Sequence, residues 1–382
     1  MIRTLEHLGP LRGKRVLLRC NFDVSVHDGK VLPEATWRLD ASAPFLKELS
    51  ALGARTMVLS HRGRPGGKRD MAYSLRPIFD YFAHSFEASL FFEARDPSEG
   101  EIVFLENMRF DPGEEANNPT FAESLSRLGD VYINNDFATA HRAHASVVGI
   151  PQFLPSAAGP LLLAEIETLR EVRDFTGTGL VVAFGGAKSE TKMRLVSYFL
   201  PRAGAVLIGG VLANTLLRAQ GYSVGASVVD EESDLSGIPL DDPRLILPID
   251  IVVSRSFERA EETTTRAVDP LEKKLLDDAE IIVDIGPQTR KRFIEKLAGA
   301  QLIVWNGPLG FVEIVSCREG TRYFARGVLA APAKTVVGGG DIVSFLAEEK
   351  MLSGINHVST GGGSMLAFLA GETLPGLQAL SL

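Results

Sequence analysis

The chain has 382 residues, 45% hydrophobic and 23% charged, which suits a globular protein with a large core and more length than one ordinary domain needs. Its net charge of −8 excludes a general nucleic-acid binder. No stretch approaches the roughly 20 consecutive apolar residues of a membrane span, and the opening MIRTLEHLGPLRGKRV lacks the apolar run of a signal peptide.

In chain order, the first half alternates short apolar runs with helical patterns. RVLLRCNF (15–22), TMVLS (56–60), IVFLE (102–106) and VYIN (131–134) read as strands, and 40–51, 75–86 and 119–128 as helices, with Asp40 and Pro119 near two of the helix starts. Near-continuous apolar strands alternating with helices are the pattern of a mostly parallel sheet covered on both faces.

The residues 159–175 carry Leu162, Leu163, Ile166, Leu169 and Val172 at helical spacing, so one helix is expected to join two sheets. The second half then repeats the scheme with strands at 180–184, 205–209, 245–249, 281–286, 302–307 and 335–340. The expected fold is α/β, two Rossmann-like lobes with mostly parallel sheets joined by a helix hinge. Cys20 and Cys317 are far apart and in no metal-ligand spacing, so a reduced, cytoplasmic setting is expected.

Ligands of open parallel sheets bind outside the carboxyl ends of the strands. In the first half those positions hold Asn21 and Asp23, SHRGRP (60–65), ENMRF (106–110), and the crowded His141, Arg142 and His144. All histidines except His357 fall within residues 1–150. Arg38, His61, Arg64, Arg109 and Arg142 are expected to converge on one edge, where guanidinium groups suit carboxylate and phosphate oxygens. Any one of these arginines, taken singly, reads as well as a solvated surface charge.

The second half carries glycine at the corresponding places: FGGAK (184–188), IGGV (208–211), DIGP (284–287), WNGPLG (305–310), GGGD (338–341) and TGGG (360–363). Glycine lets backbone amides approach a ligand, and a helix N-terminus favours phosphate, although each loop alone also reads as a tight turn. None matches the P-loop or the dinucleotide fingerprint. Lys188 and Lys192 add positive charge at a helix start, and Asp341 is either a Mg²⁺ ligand against a nucleotide phosphate or a helix cap. These features describe an anionic small substrate on one domain, a Mg-nucleotide on the other, and phosphoryl transfer if the domains close.

SHRGRP, ENMRFDPGEE, TAHRAHAS, GGAK, WNGPLGFVE, GGGD and STGGG stand in the order and at the spacing of phosphoglycerate kinase, which the chain resembles along essentially its whole length. The resemblance implies an amino-terminal lobe, 1–157 with 371–382 packing back on it, that binds 3-phosphoglycerate or 1,3-bisphosphoglycerate. It implies a second lobe, 158–370, that begins with the linking helix and binds ATP or ADP with Mg²⁺. The substrate contacts it implies are Asn21, Asp23, Arg38, His61, Arg64, Arg109 and Arg142. For the nucleotide it implies Lys188 and Lys192 at the phosphates, Gly209 and Gly210 at the adenine, and Glu313 at the ribose. Asn306, Pro308, Gly338, Gly339, Gly340, Asp341 and Ile342 complete that site, with Asp341 on the metal and Arg38, Lys192 and Gly340 serving catalysis. A monomer is implied, with no nucleic-acid or membrane partner.

The chain departs from the family pattern in places. Asn21 and Asp23 stand where the family has aspartate first and asparagine second. INNDFAT (133–139) replaces Val-Asn-Asp-Ala-Phe-Gly-Thr, which puts Asn135 and Asp136 in the positions of an aspartate and an alanine. Arg62 takes the place of a leucine, Val211 of a glycine and Ile342 of a small hydroxyl residue. An active phosphoglycerate kinase is the leading expectation. The alternatives are a family member that binds nucleotide without catalysing and a kinase for another small carboxylate.

Overall fold

The computed structural model describes residues 1–382 apart from 86–88, 93–94, 188–189 and 258–261. The chain divides into two compact units, Met1–Thr168 with Gly371–Leu382, and Leu169–Ala370. The helix Pro160–Asp174 runs from the first into the second.

In the first unit, β1 (Arg15–Arg19), β2 (Arg55–Leu59), β3 (Leu90–Phe91), β4 (Ile102–Phe104), β5 (Val131–Asn134) and β6 (Ser156–Ala158) form one sheet in the order β3-β4-β2-β1-β5-β6. Every pairing in it is parallel. Central β1 has Val16, Leu17 and Leu18 fully buried, as a strand covered on both faces requires. Two short strands, β3 and β6, escape the sequence pattern. β1 also ends at Arg19 rather than at residue 22, so Asn21 and Asp23 both lie in the loop beyond it.

That loop is still firmly held. Phe22, between the two polar residues, is fully buried and packs 5.3 Å from the Phe82 ring and 6.0 Å from that of Phe104, between centroids. The helix after it, Trp37–Ala51, starts three residues earlier than expected, which puts Asp40 in its first turn, where its charge suits the helix dipole. The helix Pro119–Ser126 begins as its sequence indicates: Asn118 caps it by accepting from the Thr120 and Phe121 amides, and proline takes N1.

The second unit holds β7 (Gly177–Phe184), β8 (Ala203–Ile208), β9 (Leu245–Ile246), β10 (Asp250–Ser254), β11 (Thr264–Ala267), β12 (Ile281–Ile285), β13 (Leu302–Asn306), β14 (Lys334–Gly338) and β15 (His357–Ser359). Six of them make a parallel sheet in the order β9-β8-β7-β13-β14-β15. The run 281–286, expected in that sheet, instead joins a three-stranded antiparallel sheet, β11-β10-β12. An apolar run buried on both faces looks the same in sequence whichever way its neighbours point. Among the described residues no helix is long and apolar enough to cross a membrane. Both cysteines are buried and free.

Candidate active site

The register of the first sheet sets Arg19 opposite Leu59 and Asn134, so the loops after β1, β2 and β5 leave the sheet at one edge. At this edge the structure assembles a charged cluster around one histidine. His61 is buried at 3% exposure, its Nδ1 2.9 Å from Arg19 Nη2 and its Nε2 3.7 Å from the Asp23 carboxylate. A guanidinium nitrogen can only donate, so Nδ1 accepts and the ring proton sits on Nε2. Burial first, and then Arg19, Arg109, His144 and Arg38, hold His61 well below the ordinary histidine pKa, so it is neutral.

Asp23 accepts from the Gly63 amide at 2.9 Å, and the Gly63 carbonyl accepts from Arg109 Nη1 at 2.8 Å. Gly63 has φ +63°, and a Cβ there would stand 2.2 Å from the Tyr73 ring, so the turn that joins these two charges admits only glycine. Arg109 is buried and lies 3.3 Å from Glu115. Arg38 donates to the Asp23 carbonyl and stacks on the Trp37 ring, 5.0 Å from its centroid. Asn21 accepts the Asp23 amide at 3.0 Å, which fixes the turn. Desolvation lowers the pKa of Arg38 and Arg109, and the carboxylate of Asp23 acts against it on both.

The structure therefore brings together Asn21, Asp23, Arg38, His61 and Arg109. Arg142 is exposed, close enough to depress the pKa values of His141 and His144. Arg64 is exposed one residue beyond Gly63 and makes no ion pair among the described residues. The histidines do not supply the positive charge that their crowding suggests: burial pushes His144 down to about 4 and lowers His141 as well. The arginines carry it. Nε of Arg38 is buried without a hydrogen-bond partner, whereas Nε of Arg109 faces Glu115 at 3.3 Å and Nδ1 of His144 faces Glu114 at 3.8 Å. Arg62, in a leucine's place, is spent on the carbonyls of Ala72 and Ser74 and shapes the loop.

Sequence reasoning missed the support beneath this surface. Arg19 is fully buried, 3.1 Å from Asp136, and its Nε donates to Ser146 Oγ. Ser146 in turn donates to the buried Glu114 through both its amide and its hydroxyl. Arg19 ends a strand, and that position is the signal that marks it; Glu114 carries none.

In the second unit, Phe184, Asn306, Ile208 and Gly338 share the row at the carboxyl edge. The loops that follow hydrogen-bond one another. The amides of Gly185 and Gly186 donate to the carbonyls of Asn306 and Pro308, and those of Gly209 and Gly210 to the carbonyls of Phe184 and Leu309. Those four amides are used in packing and are not phosphate donors. Lys192 is buried, with its ammonium donating to the Gly185 carbonyl. Lys188 lies outside the described residues.

The third glycine loop differs. Gly339 has φ +114° and caps the helix Gly340–Glu348, whose first bond runs from the Val343 amide to the Gly339 carbonyl. The amides of the first turn have no helical acceptor and stand in positive dipole potential. Gly340 has open space where a Cβ would be, and Asp341 beside it is exposed. The N-cap position belongs to Gly339, with Asp341 inside the first turn, which removes the cap reading. Ile342 turns its side chain fully into the core, so only its backbone faces the site. Asn306 holds the loop by donating to the Gly338 carbonyl at 2.7 Å. Beside these loops lies an apolar slot lined by Gly210, Ala213, Leu217, Ile282, Leu309 and Phe311, with exposed Glu313 two residues after the phenylalanine. Its helix and β12 residues were not foreseen, because they come together only through the antiparallel sheet.

The sequence model of the family described as phosphoglycerate kinase matches residues 5–372. The chain belongs to the phosphoglycerate kinase family. It is 40% identical over 397 residues to the phosphoglycerate kinase of Thermus thermophilus, covering 99% of this chain and 100% of that one. Identity to the enzyme of Herpetosiphon aurantiacus is 36% over 386 residues, covering 97% and 96%. The crystal structure of the phosphoglycerate kinase of Pyrococcus horikoshii superposes with a TM-score of 0.86 at 29% identity, covering 100% of this chain and 98% of that one. The Coxiella burnetii structure gives 0.84 at 32%, covering 100% and 99%. The family read from the seven motifs and the mostly parallel α/β fold read from the apolar runs thus hold.

Proposed function

We propose that this chain catalyses reversible phosphoryl transfer between 1,3-bisphosphoglycerate and ADP, giving 3-phosphoglycerate and ATP, with the phosphoglycerate on the first unit and the nucleotide on the second. One observation carries the assignment within the family: Arg38 on the Asp23 carbonyl, Arg109 on the Gly63 carbonyl and Nε2 of His61, 3.7 Å from the Asp23 carboxylate, gather at the carboxyl edge of the first sheet. Arginine forks suit the carboxylate and phosphate groups of the acid, and Arg64 and Arg142 are exposed to reach them. Asp23, beside His61, would meet its hydroxyl, and Asn21 holds the turn that carries Asp23.

On the second unit, the apolar slot lined by Gly210, Ala213, Leu217 and Leu309 takes the adenine, and Glu313 the ribose hydroxyls. Lys192 meets the phosphates, a role the family resemblance also gives Lys188, while the first-turn amides from Gly340 onward receive the migrating phosphoryl group. Among the described residues no cluster of three His, Cys, Asp or Glu side chains exists to cage a metal, whereas Mg²⁺ held mainly by nucleotide phosphates needs only one or two carboxylates. Asp341 fits that need, and the ion would supply neutralisation of phosphate charge. Positioning and charge stabilisation then account for catalysis, with Arg38 the guanidinium that meets the transferring group. Buried free cysteines support a reducing, cytoplasmic setting, and the family resemblance supports a monomer.

Titrating 3-phosphoglycerate and MgATP separately into the protein tests the two-site assignment. One site for each is expected, neither ligand displacing the other; mutual displacement would overturn it.

A further inference from the structure

Asp136 lies outside the substrate-facing set, yet it is 1% exposed and pairs with Arg19, which is itself fully buried at the end of β1. A buried guanidinium without a counter-charge is costly, so removing one partner of such a pair is strongly unfavourable. Arg19 spends all three of its nitrogens: Nε on Ser146 Oγ at 3.1 Å, Nη1 on the Cys20 carbonyl and Asp136, Nη2 on His61 Nδ1 at 2.9 Å. Asp136 is fixed in turn by the Thr139 amide and hydroxyl, at 3.1 and 2.6 Å. A continuous line runs from Thr139 through Asp136 and Arg19 to the histidine that faces Asp23.

We propose that Asp136 is a positioning residue: by holding Arg19 against Nδ1 of His61, it locks the neutral imidazole in the tautomer that presents Nε2–H to the phosphoglycerate. The proposal rests on the reading that His61 meets that substrate. Its physical content is that the donor on the substrate side is set from behind, by a charge pair the substrate never touches. Without the aspartate, the guanidinium has Glu114 as its other buried carboxylate within the same network, reached through Ser146. A shift toward Glu114 withdraws Nη2 from His61 and frees the ring to populate both tautomers. The residue pattern agrees: this chain carries Asp136 and Asn135 where the family pattern has alanine and aspartate, so the carboxylate that pairs with Arg19 is a feature of this chain's own sequence.

The test is ¹⁵N NMR of histidine-labelled full-length protein, with the His61 signals assigned from His61→Gln. In the wild type, a pyridine-type Nδ1 and a protonated, pyrrole-type Nε2 are expected. Asp136→Ala should move both signals toward a tautomer average and raise KM for 3-phosphoglycerate about tenfold, the loss expected for one oriented hydrogen bond to a charged ligand. Asp136→Asn serves where the alanine variant does not fold. Thr139→Val, which removes the hydroxyl bond to Asp136 but keeps the amide bond and the carboxylate's pairing with Arg19, should move tautomer and KM far less than Asp136→Ala does. A wild-type His61 protonated on Nδ1, an Asp136 variant that keeps the Nε2–H form, or equal mixing in Thr139→Val would overturn the proposal. If 3-phosphoglycerate leaves the wild-type His61 signals unmoved, the placement of His61 in the substrate site falls, and the proposed role falls with it even with the tautomer held.

Discussion

Replacing Arg38 by alanine is expected to slow turnover at least about a hundredfold, the loss typical of one preorganised donor to developing charge. The second residue of the helix Trp37–Ala51, it is held at the mouth of the first sheet by the Asp23 carbonyl and the face of Trp37, with Nε lacking a partner. Both restraints orient the guanidinium before substrate arrives, so its charge is available to the equatorial oxygens of the phosphoryl group without reorganisation. The Trp37 stack, the Asp23 carbonyl bond and the carboxylate nearby distinguish it from a solvated surface arginine, whose loss would cost under about 1 kcal/mol and no activity. MgATP binding should be unchanged, and lysine should rescue only in part, because a point charge cannot make two parallel hydrogen bonds. Steady-state kinetics beside calorimetry with MgATP give the answer; a near wild-type kcat would remove Arg38 from the mechanism.

The second large effect is expected at Asp341. Its carboxylate is exposed on the first turn of the helix Gly340–Glu348 and caps nothing, so Asp341→Ala leaves that helix its hydrogen bonds. Turnover with MgATP should fall about a hundredfold, comparable to the loss of a single charge-stabilising group. Binding of 3-phosphoglycerate should stay within about twofold, since a shift under about 0.4 kcal/mol is all that a distant single charge is worth through water. Calorimetry that finds 3-phosphoglycerate binding lost instead would contradict the assignment of the two ligands to separate units.

Strand positions were readable because buried parallel strands are nearly unbroken apolar runs, and the residues just past them therefore named most of the site. His61 and Arg109 follow β2 and β4 in this simple way. What could not be read is partnership. Nothing in the local pattern separates Arg109, which bonds the Gly63 carbonyl, from Arg64, which stands exposed a few residues away in the fold's loop order. Periodicity likewise gave no sign that 281–285 leaves the parallel sheet, and with it went the far wall of the apolar slot. Titration behaviour was the least legible: three histidines near three arginines suggest charge, yet burial keeps the rings neutral. The exchanged Asn21 and Asp23 are bonded to each other in the loop after β1, a local device that an apolar strand run does not reveal.

The central claim is that these two units together move a phosphoryl group between a nucleotide and phosphoglycerate. The measurement that tests it most directly is ATP-dependent consumption of 3-phosphoglycerate by the purified full-length protein, with 1,3-bisphosphoglycerate trapped by a coupled, NADH-dependent reduction. Steady turnover is expected that needs 3-phosphoglycerate, ATP and Mg²⁺ together and is lost in Arg38→Ala. Binding of both ligands with no turnover, or turnover only with a different carboxylic acid, would contradict the account.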